Sequence, residues 1–267
     1  MAFDRIAQAG IVLLGCGKMG SAMLAGWLSE GLPPHCVYVI DPAPSDWLRS
    51  TGVHLNADLP TAPAVAIVAV KPQMMGDALP ALQAFGNGPT LFMSIAAGTP
   101  LARFAQAFGD QTPIIRAMPN TPAAVGAGIS ALIGNALVSE QDLALAEDLL
   151  SAVGQTVRLE DESQMDAVTG LSGSGPAYVF HMIEAMAAAG EAQGLSADLA
   201  MQLARATVIG AGQLAAGSDD SAAQLRINVT SPKGTTAAAL DVLMPELPGL
   251  MARTVKAASE RSKELSA

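Results

Sequence analysis

Two short segments hold the residues whose types and order suit chemistry. The first is Gly15-Cys16-Gly17-Lys18-Met19-Gly20, a G-x-G-x-x-G that follows the apolar run Ile11–Leu14 and opens a helical pattern over Met19–Glu30. In that strand–loop–helix setting the motif is a phosphate-cradling turn of a dinucleotide fold. Gly15 permits the tight turn, Gly17 lets the backbone approach a pyrophosphate, and Gly20 lets the helix pack close to the strand. The helix N-terminus adds free N–H donors and the positive end of its dipole. The second segment is Asn228-Val229-Thr230-Ser231-Pro232-Lys233-Gly234-Thr235-Thr236, a hydroxyl-rich loop that feeds Ala237–Leu240. A helix N-terminus there suits a carboxylate, with Thr235 or Thr236 as the N-cap.

Two charged residues stand at strand ends. Asp41 follows Cys36–Ile40, about 20 residues past the glycines, where a carboxylate accepts hydrogen bonds from an adenosine ribose and repels a 2′-phosphate. Its alternative job is to cap the next helix. Lys71 ends Val65–Val70, facing the ligand crevice of a parallel sheet. There it pairs with phosphate, orders the nicotinamide half, or stands in solvent. Ser172-Gly173-Ser174-Gly175-Pro176 reads as a tightly packed helix start, with Pro176 in the first turn.

The elements that must position these residues change character along the chain. Strand-like runs at Ile11–Leu14, Cys36–Ile40, Val65–Val70, Thr90–Ser94, Pro113–Arg116, Gly128–Ile133 and Thr156–Leu159 alternate with helical stretches such as Met74–Phe85 and Leu101–Phe108. Alternation of this kind implies a parallel sheet with crossover helices. Beyond Gln164 the strand signal fades, and helix-period patterning runs through Tyr178–Gln193, Asp198–Ala215 and Leu250–Leu265. The fold class expected is an α/β Rossmann-like dinucleotide-binding domain over 1–162 and an all-α domain over 163–267.

Composition excludes several classes. Charged residues are 14% of the 267, against about 25% in typical domains, and the net charge is −10. Basic and acidic residues number 7 and 12 on each side of residue 160, so no basic face hides for nucleic acid. Cys16 and Cys36 are too few for a disulfide framework, and His35, His54 and His181 lack ligand spacing, so no metal is expected. The longest apolar run, Ala62–Val70, is too short for a membrane span and is broken by Pro63. Met1–Arg5 lacks the charge order of a signal peptide and runs into a strand-like segment, which makes a cytoplasmic protein the expectation.

The motifs taken together carry a resemblance. Gly15–Gly20, Ala69-Val70-Lys71-Pro72, Ser94-Ile95-Ala96-Ala97-Gly98, Arg116-Ala117-Met118-Pro119-Asn120-Thr121-Pro122, the VTGLSGSGPAY of Val168–Tyr178 and the Ser231–Thr236 loop resemble, in order and spacing, the pyrroline-5-carboxylate reductase family over essentially the whole chain. The resemblance implies reduction of a cyclic imine carboxylate to L-proline by NADPH or NADH. It also implies a homodimer through the helical domain, or a higher homo-oligomer, with the active site at the interface. It carries Leu14, Gly15, Cys16, Gly17, Lys18, Met19, Asp41, Asn56, Ala69, Val70, Lys71, Pro72, Ala97 and Asn228 into the cofactor site. Glu162, Ser231, Gly234, Thr235 and Thr236 go to the substrate site, with the Thr236 hydroxyl on the ring nitrogen. Glu162 either stabilises the iminium or is a solvated loop carboxylate.

Two positions depart from the family pattern. Lys233 replaces the first glycine of the usual SPGGTT or SPGGAT, and Asp41 stands where a small polar residue is usual, favouring NADH. The low charged fraction of the chain, with much apolar surface on the helices of residues 164–267, fits cover by a second subunit. Two other readings stay open, a reductase of a related cyclic imine such as the six-membered homologue and a nucleotide sensor without catalysis; the residues argue against a third, a β-hydroxyacid dehydrogenase. The last needs a lysine proton carrier in the helical half, and none occurs between Lys71 and Lys233.

Overall fold

A computed structural model describes residues 2–266. It contains two compact units, residues 2–173 with 258–266, and residues 174–257. The short turns of 162–173 stay with the first unit, beyond the 162/163 division read from sequence.

The first unit runs α1 (Ala2–Ala9), β1 (Ile11–Leu14), α2 (Lys18–Ser29), β2 (Val37–Ile40), α3 (Asp46–Ser50), β3 (His54–Leu55), β4 (Val65–Val68), α4 (Met75–Ala78), β5 (Leu91–Ser94), α5 (Leu101–Phe108), β6 (Ile114–Met118), β7 (Gly128–Gly134), α6 (Glu140–Ser151), β8 (Gly154–Arg158) and α7 (Met165–Val168). The strands form one sheet in the order β3-β2-β1-β4-β5-β6-β7-β8. Every pairing is parallel except β6 with β7. The alternation in the sequence reflects this sheet. The antiparallel pair arises where β6 and β7 are joined by the 3-10 turn Thr121–Val125 instead of a crossover helix.

Successive residues of one strand serve opposite faces. Leu13, Ile67 and Met93 enter one core cluster, while Val12, Ala66 and Phe92 enter the other. The uninterrupted apolar runs of β1, β4 and β5 follow from this burial on both sides. On the first face, the Trp27 indole N–H donates to the Leu149 carbonyl at 2.7 Å, tying α2 to α6. A Cβ on Gly26 would lie 2.7 Å from the Ala152 carbonyl oxygen, so α2 sits close against the α6 C-terminus. The helix bearing the glycine loop is thereby anchored at its far end.

Several local elements differ from the sequence reading. Ala2–Ala9 is a helix rather than a strand lead-in, with Ile6 fully buried. The Met74–Phe85 stretch divides into the four-residue α4 and the 3-10 helix Leu79–Phe85, which holds Pro80 in its first turn. Proline lacks an N–H and restricts the residue before it, which stops an α-helix from running through.

The second unit holds α8 (Gly175–Ala192), α9 (Ala197–Ala216), α10 (Ala222–Asn228) and most of α11 (Thr235–Ser266). Pro176 stands in the first turn of α8, as expected. α11 is far longer than the Leu250–Leu265 segment, and it continues through Pro245 and Pro248.

Candidate functional site

The glycine loop lies where the strand order reverses, with β1 between β2 and β4. Crevices at the carboxyl ends of such strands bind ligands. Gly15 has φ +90°, and a Cβ there would meet Val70 Cγ1 at 2.9 Å and the Ala69 carbonyl oxygen at 3.0 Å. A Cβ on Gly20 would lie 2.6 Å from the Gly15 carbonyl oxygen. Gly17, the N-cap of α2, differs from both: a Cβ there would meet nothing within 4 Å. Two glycines thus fold the loop, and the third keeps its outer face open for a ligand.

A cleft of about 530 Å³ opens in front of this loop. Gly17, Lys18, Met19, Ala69, Val70, Lys71, Pro72 and Ala97 line it, all assigned to a cofactor by the sequence reading. Ile95 and Ala96 of the Ser94–Gly98 motif line it too. Leu14 and Gly15 are buried behind the lining. The walls are largely apolar, and Lys18 and Lys71 are exposed cations at the rim. Open amides at a helix N-terminus, two lysines and an apolar wall fit a dinucleotide: pyrophosphate on the loop and rings against the wall.

Asp41 has a use that sequence did not foresee. One carboxylate oxygen accepts from the Cys16 backbone N–H at 2.7 Å, the other from the Ala43 N–H at 2.8 Å. Asn56 completes the clamp, accepting from the Asp41 N–H at 2.9 Å and donating to the Asp41 carbonyl at 2.9 Å. Asn56 adopts φ +51° to do so. The cap of α3 is Ser45, whose hydroxyl accepts from the Leu48 N–H, so the helix-cap alternative for Asp41 is set aside. Burial, reinforced by the Asp41 charge, pushes the Cys16 thiol up to about 11. It is neutral near pH 7 and adds no negative charge to the loop.

In the second unit, the loop before α11 is a β-turn. The Gly234 N–H donates to the Ser231 carbonyl at 3.0 Å, with Pro232 and Lys233 at the turn centre. Lys233 sits at φ +60°, the region glycine favours. α11 begins at Thr235, and the Gly234 carbonyl accepts the Ala238 N–H. Gly234 is therefore the N-cap, correcting the expectation that a threonine caps this helix. Neither the Thr235 nor the Thr236 hydroxyl has a hydrogen-bond partner among the described residues. The first amides of α11 are likewise available to an anion. Asn228 lies in this unit as well, accepting from Gln224 Nε2 at 2.8 Å and donating to Asp220 at 3.1 Å.

Glu162 is not a solvated loop carboxylate. Its Oε1 accepts from Arg116 Nη1 at 2.8 Å and from the Leu101 N–H at 2.9 Å. Arg116 was quoted in a motif without a role; an arginine within the apolar strand Ile114–Met118 was the available signal. Asn120 of that motif is structural, accepting from the Ile129 N–H and donating to Ser172. His181 is exposed on α8, paired with Glu184. No group of three metal-ligating side chains occurs among the described residues.

A doubly wound sheet with a glycine loop at its switch point, followed by a helical unit that presents a hydroxyl-rich anion loop, defines the nicotinamide-dinucleotide oxidoreductase class. Comparison with known proteins narrows this. Residues 162–265 match the family profile described as pyrroline-5-carboxylate reductase dimerisation, and residues 10–98 match NADP oxidoreductase coenzyme F420-dependent. The pyrroline-5-carboxylate reductase of Pseudomonas aeruginosa is 40% identical over 263 residues, 96% of each chain. The structure is similar to a pyrroline-5-carboxylate reductase from Coxiella burnetii, with TM-score 0.91 and 34% identity over 97% of this chain and 99% of that one. It also resembles the Plasmodium falciparum pyrroline carboxylate reductase with NADP bound, with TM-score 0.82 and 28% identity over 97% and 98%. The chain belongs to the pyrroline-5-carboxylate reductase family, as its motifs implied.

Proposed function

We propose that the protein reduces 1-pyrroline-5-carboxylate to L-proline. The dinucleotide occupies the cleft at Gly15–Met19, Ala69–Pro72 and Ala97, with Asp41 and Asn56 at the adenosine end. When bound, NADPH or NADH supplies a hydride from nicotinamide C4 to the imine carbon. The Gly17 face and the α2 amides hold pyrophosphate, and Lys71 balances its charge.

Ser231, Gly234, Thr235 and Thr236 hold the substrate. The first amides of α11 and the Ser231 hydroxyl take the carboxylate. The Thr236 hydroxyl accepts a hydrogen bond from the protonated ring nitrogen. A threonine hydroxyl is too weak an acid to protonate that nitrogen, so the substrate binds as the iminium or takes its proton from water. The chain's contribution is positioning. Helical units of two copies pair. The two free thiols, Cys16 and Cys36, support a cytoplasmic setting.

The observation that carries the reading is the α11 loop, whose two threonine hydroxyls and first amides have no hydrogen-bond partner among the described residues. Its test is oxidation of NADPH or NADH with the five-membered imine, compared with the six-membered homologue. The five-membered ring should give the higher kcat/KM. Thr236→Ala should lower imine reduction by about 10- to 100-fold, the worth of one hydrogen bond to a charged group, with dinucleotide affinity nearly intact. Unchanged kcat and kcat/KM in that variant remove Thr236 from the mechanism. A sensor would bind the dinucleotide and oxidise none.

A further inference from the structure

Helix α5 starts directly after Pro100, whose side chain cannot cap it. Glu162 supplies the missing acceptor from 61 residues away, taking the Leu101 N–H at 2.9 Å. The same oxygen takes Arg116 Nη1 at 2.8 Å. Arg116 is 5% exposed, and Glu162 is its only ion-pair partner among the described residues. The pair thus joins β6 to the start of α5, both within the first unit.

Between β5 and α5 lies the loop 95–100, which forms one wall of the cleft. It is closely held: the Ser94 hydroxyl accepts from the Ala96 N–H at 3.2 Å, and buried Thr99 contacts Met75 Sδ at 3.6 Å. Ile95, Ala96 and Thr99 are buried, and Ala97 is the exposed residue of the loop and lines the cleft. The loop's last fixed point is the Leu101 amide on Glu162.

We infer that Glu162 is a positioning residue for the dinucleotide: through Arg116 and the Leu101 amide, it fixes the loop that presents Ala96 and Ala97 to the cleft. Without its charge, Arg116 is buried and uncompensated, and α5 loses a charged cap. The loop then gains freedom that cofactor binding must remove. The inference rests on reading the cleft as the dinucleotide site. It differs from direct contact between Glu162 and the imine, which would act on substrate KM alone.

The test is fluorescence titration of NADPH into the full-length wild type, E162Q and the double variant E162Q/R116M, with kcat and both KM values. Glutamine keeps the acceptor for Leu101 and loses the charge. Methionine removes the cation that needs it, so the double variant leaves no buried charge uncompensated where E162Q alone does. Both variants should show a dinucleotide Kd raised about tenfold, roughly one charge-assisted hydrogen bond, with imine KM moving less than about twofold. The two changes should be non-additive, since they break one tie. A raised imine KM with unchanged dinucleotide Kd, or a double variant with wild-type Kd, overturns the inference. Wild type that binds no dinucleotide overturns the cleft reading with it; wild type that binds while both variants match it overturns the inference alone.

Discussion

At the scale of single residues, Asp41 and Lys233 carry the sharpest expectations. The Asp41 carboxylate holds the Cys16 amide and lies at the end of β2, where a 2′-phosphate would approach it. Like charges within a few ångströms in a partly buried site repel by more than in water. Asp41→Ser should therefore shift the ratio of kcat/KM for NADPH over NADH upward by about tenfold or more. An unaltered ratio in initial-rate assays would show that the carboxylate serves the loop alone. Lys233 poses the opposite case, a side chain in a backbone region that costs it about 1–2 kcal/mol relative to glycine. Lys233→Gly relieves that strain and loses about 0.4–1 kcal/mol through a freer unfolded chain. The net gain should raise Tm by about 1–4 °C in thermal unfolding. Reading the spacing gave these positions their interest; the Asp41–Cys16 bond joins residues 25 apart and was invisible until β2 lay beside β1.

At the scale of elements, the glycine loop separates folding from binding. Gly20 is packed on backbone and Gly17 on nothing, though both belong to one motif. Gly20→Ala must displace α2 or the loop, and should lower Tm by about 3–10 °C. Gly17→Ala should leave Tm unchanged and raise the dinucleotide Kd at least about tenfold, because its methyl enters the space the pyrophosphate needs. Calorimetry and dinucleotide titration on the same two proteins check the contrast; equal effects on stability would remove the distinction. The threonines of α11 show the same separation. They read as caps, but Gly234 takes the cap position and frees their hydroxyls.

At the scale of the whole molecule, the helices of the second unit expose much apolar surface. Phe180, at 61% exposure, shares α8 with exposed Val179, Met182 and Met186. Patches of this kind are covered in soluble proteins. A second copy of the chain is the occupant the family profile suggests, so light scattering should give twice 27.1 kDa. Phe180→Glu costs little in an isolated chain, since the ring is already exposed. It should yield a 27.1 kDa species with a lower Tm and little activity, as loss of a partner removes its stabilisation. A variant that keeps the doubled mass places the interface elsewhere.

The sequence by itself determined the sheet, the glycine loop and the family. Apolar runs buried on two faces, glycines at fixed spacing and a proline at a helix start are local devices, and local sterics are written in consecutive residues. What only the tertiary structure decided are partnerships across long separations. Asp41 on Cys16, Glu162 on Arg116 and Leu101, and Asn120 on Ser172 each join residues remote in the chain. A carboxylate's type says that it will accept a hydrogen bond. Which donor it meets depends on strand order and helix placement, which are settled by the packing of the whole core.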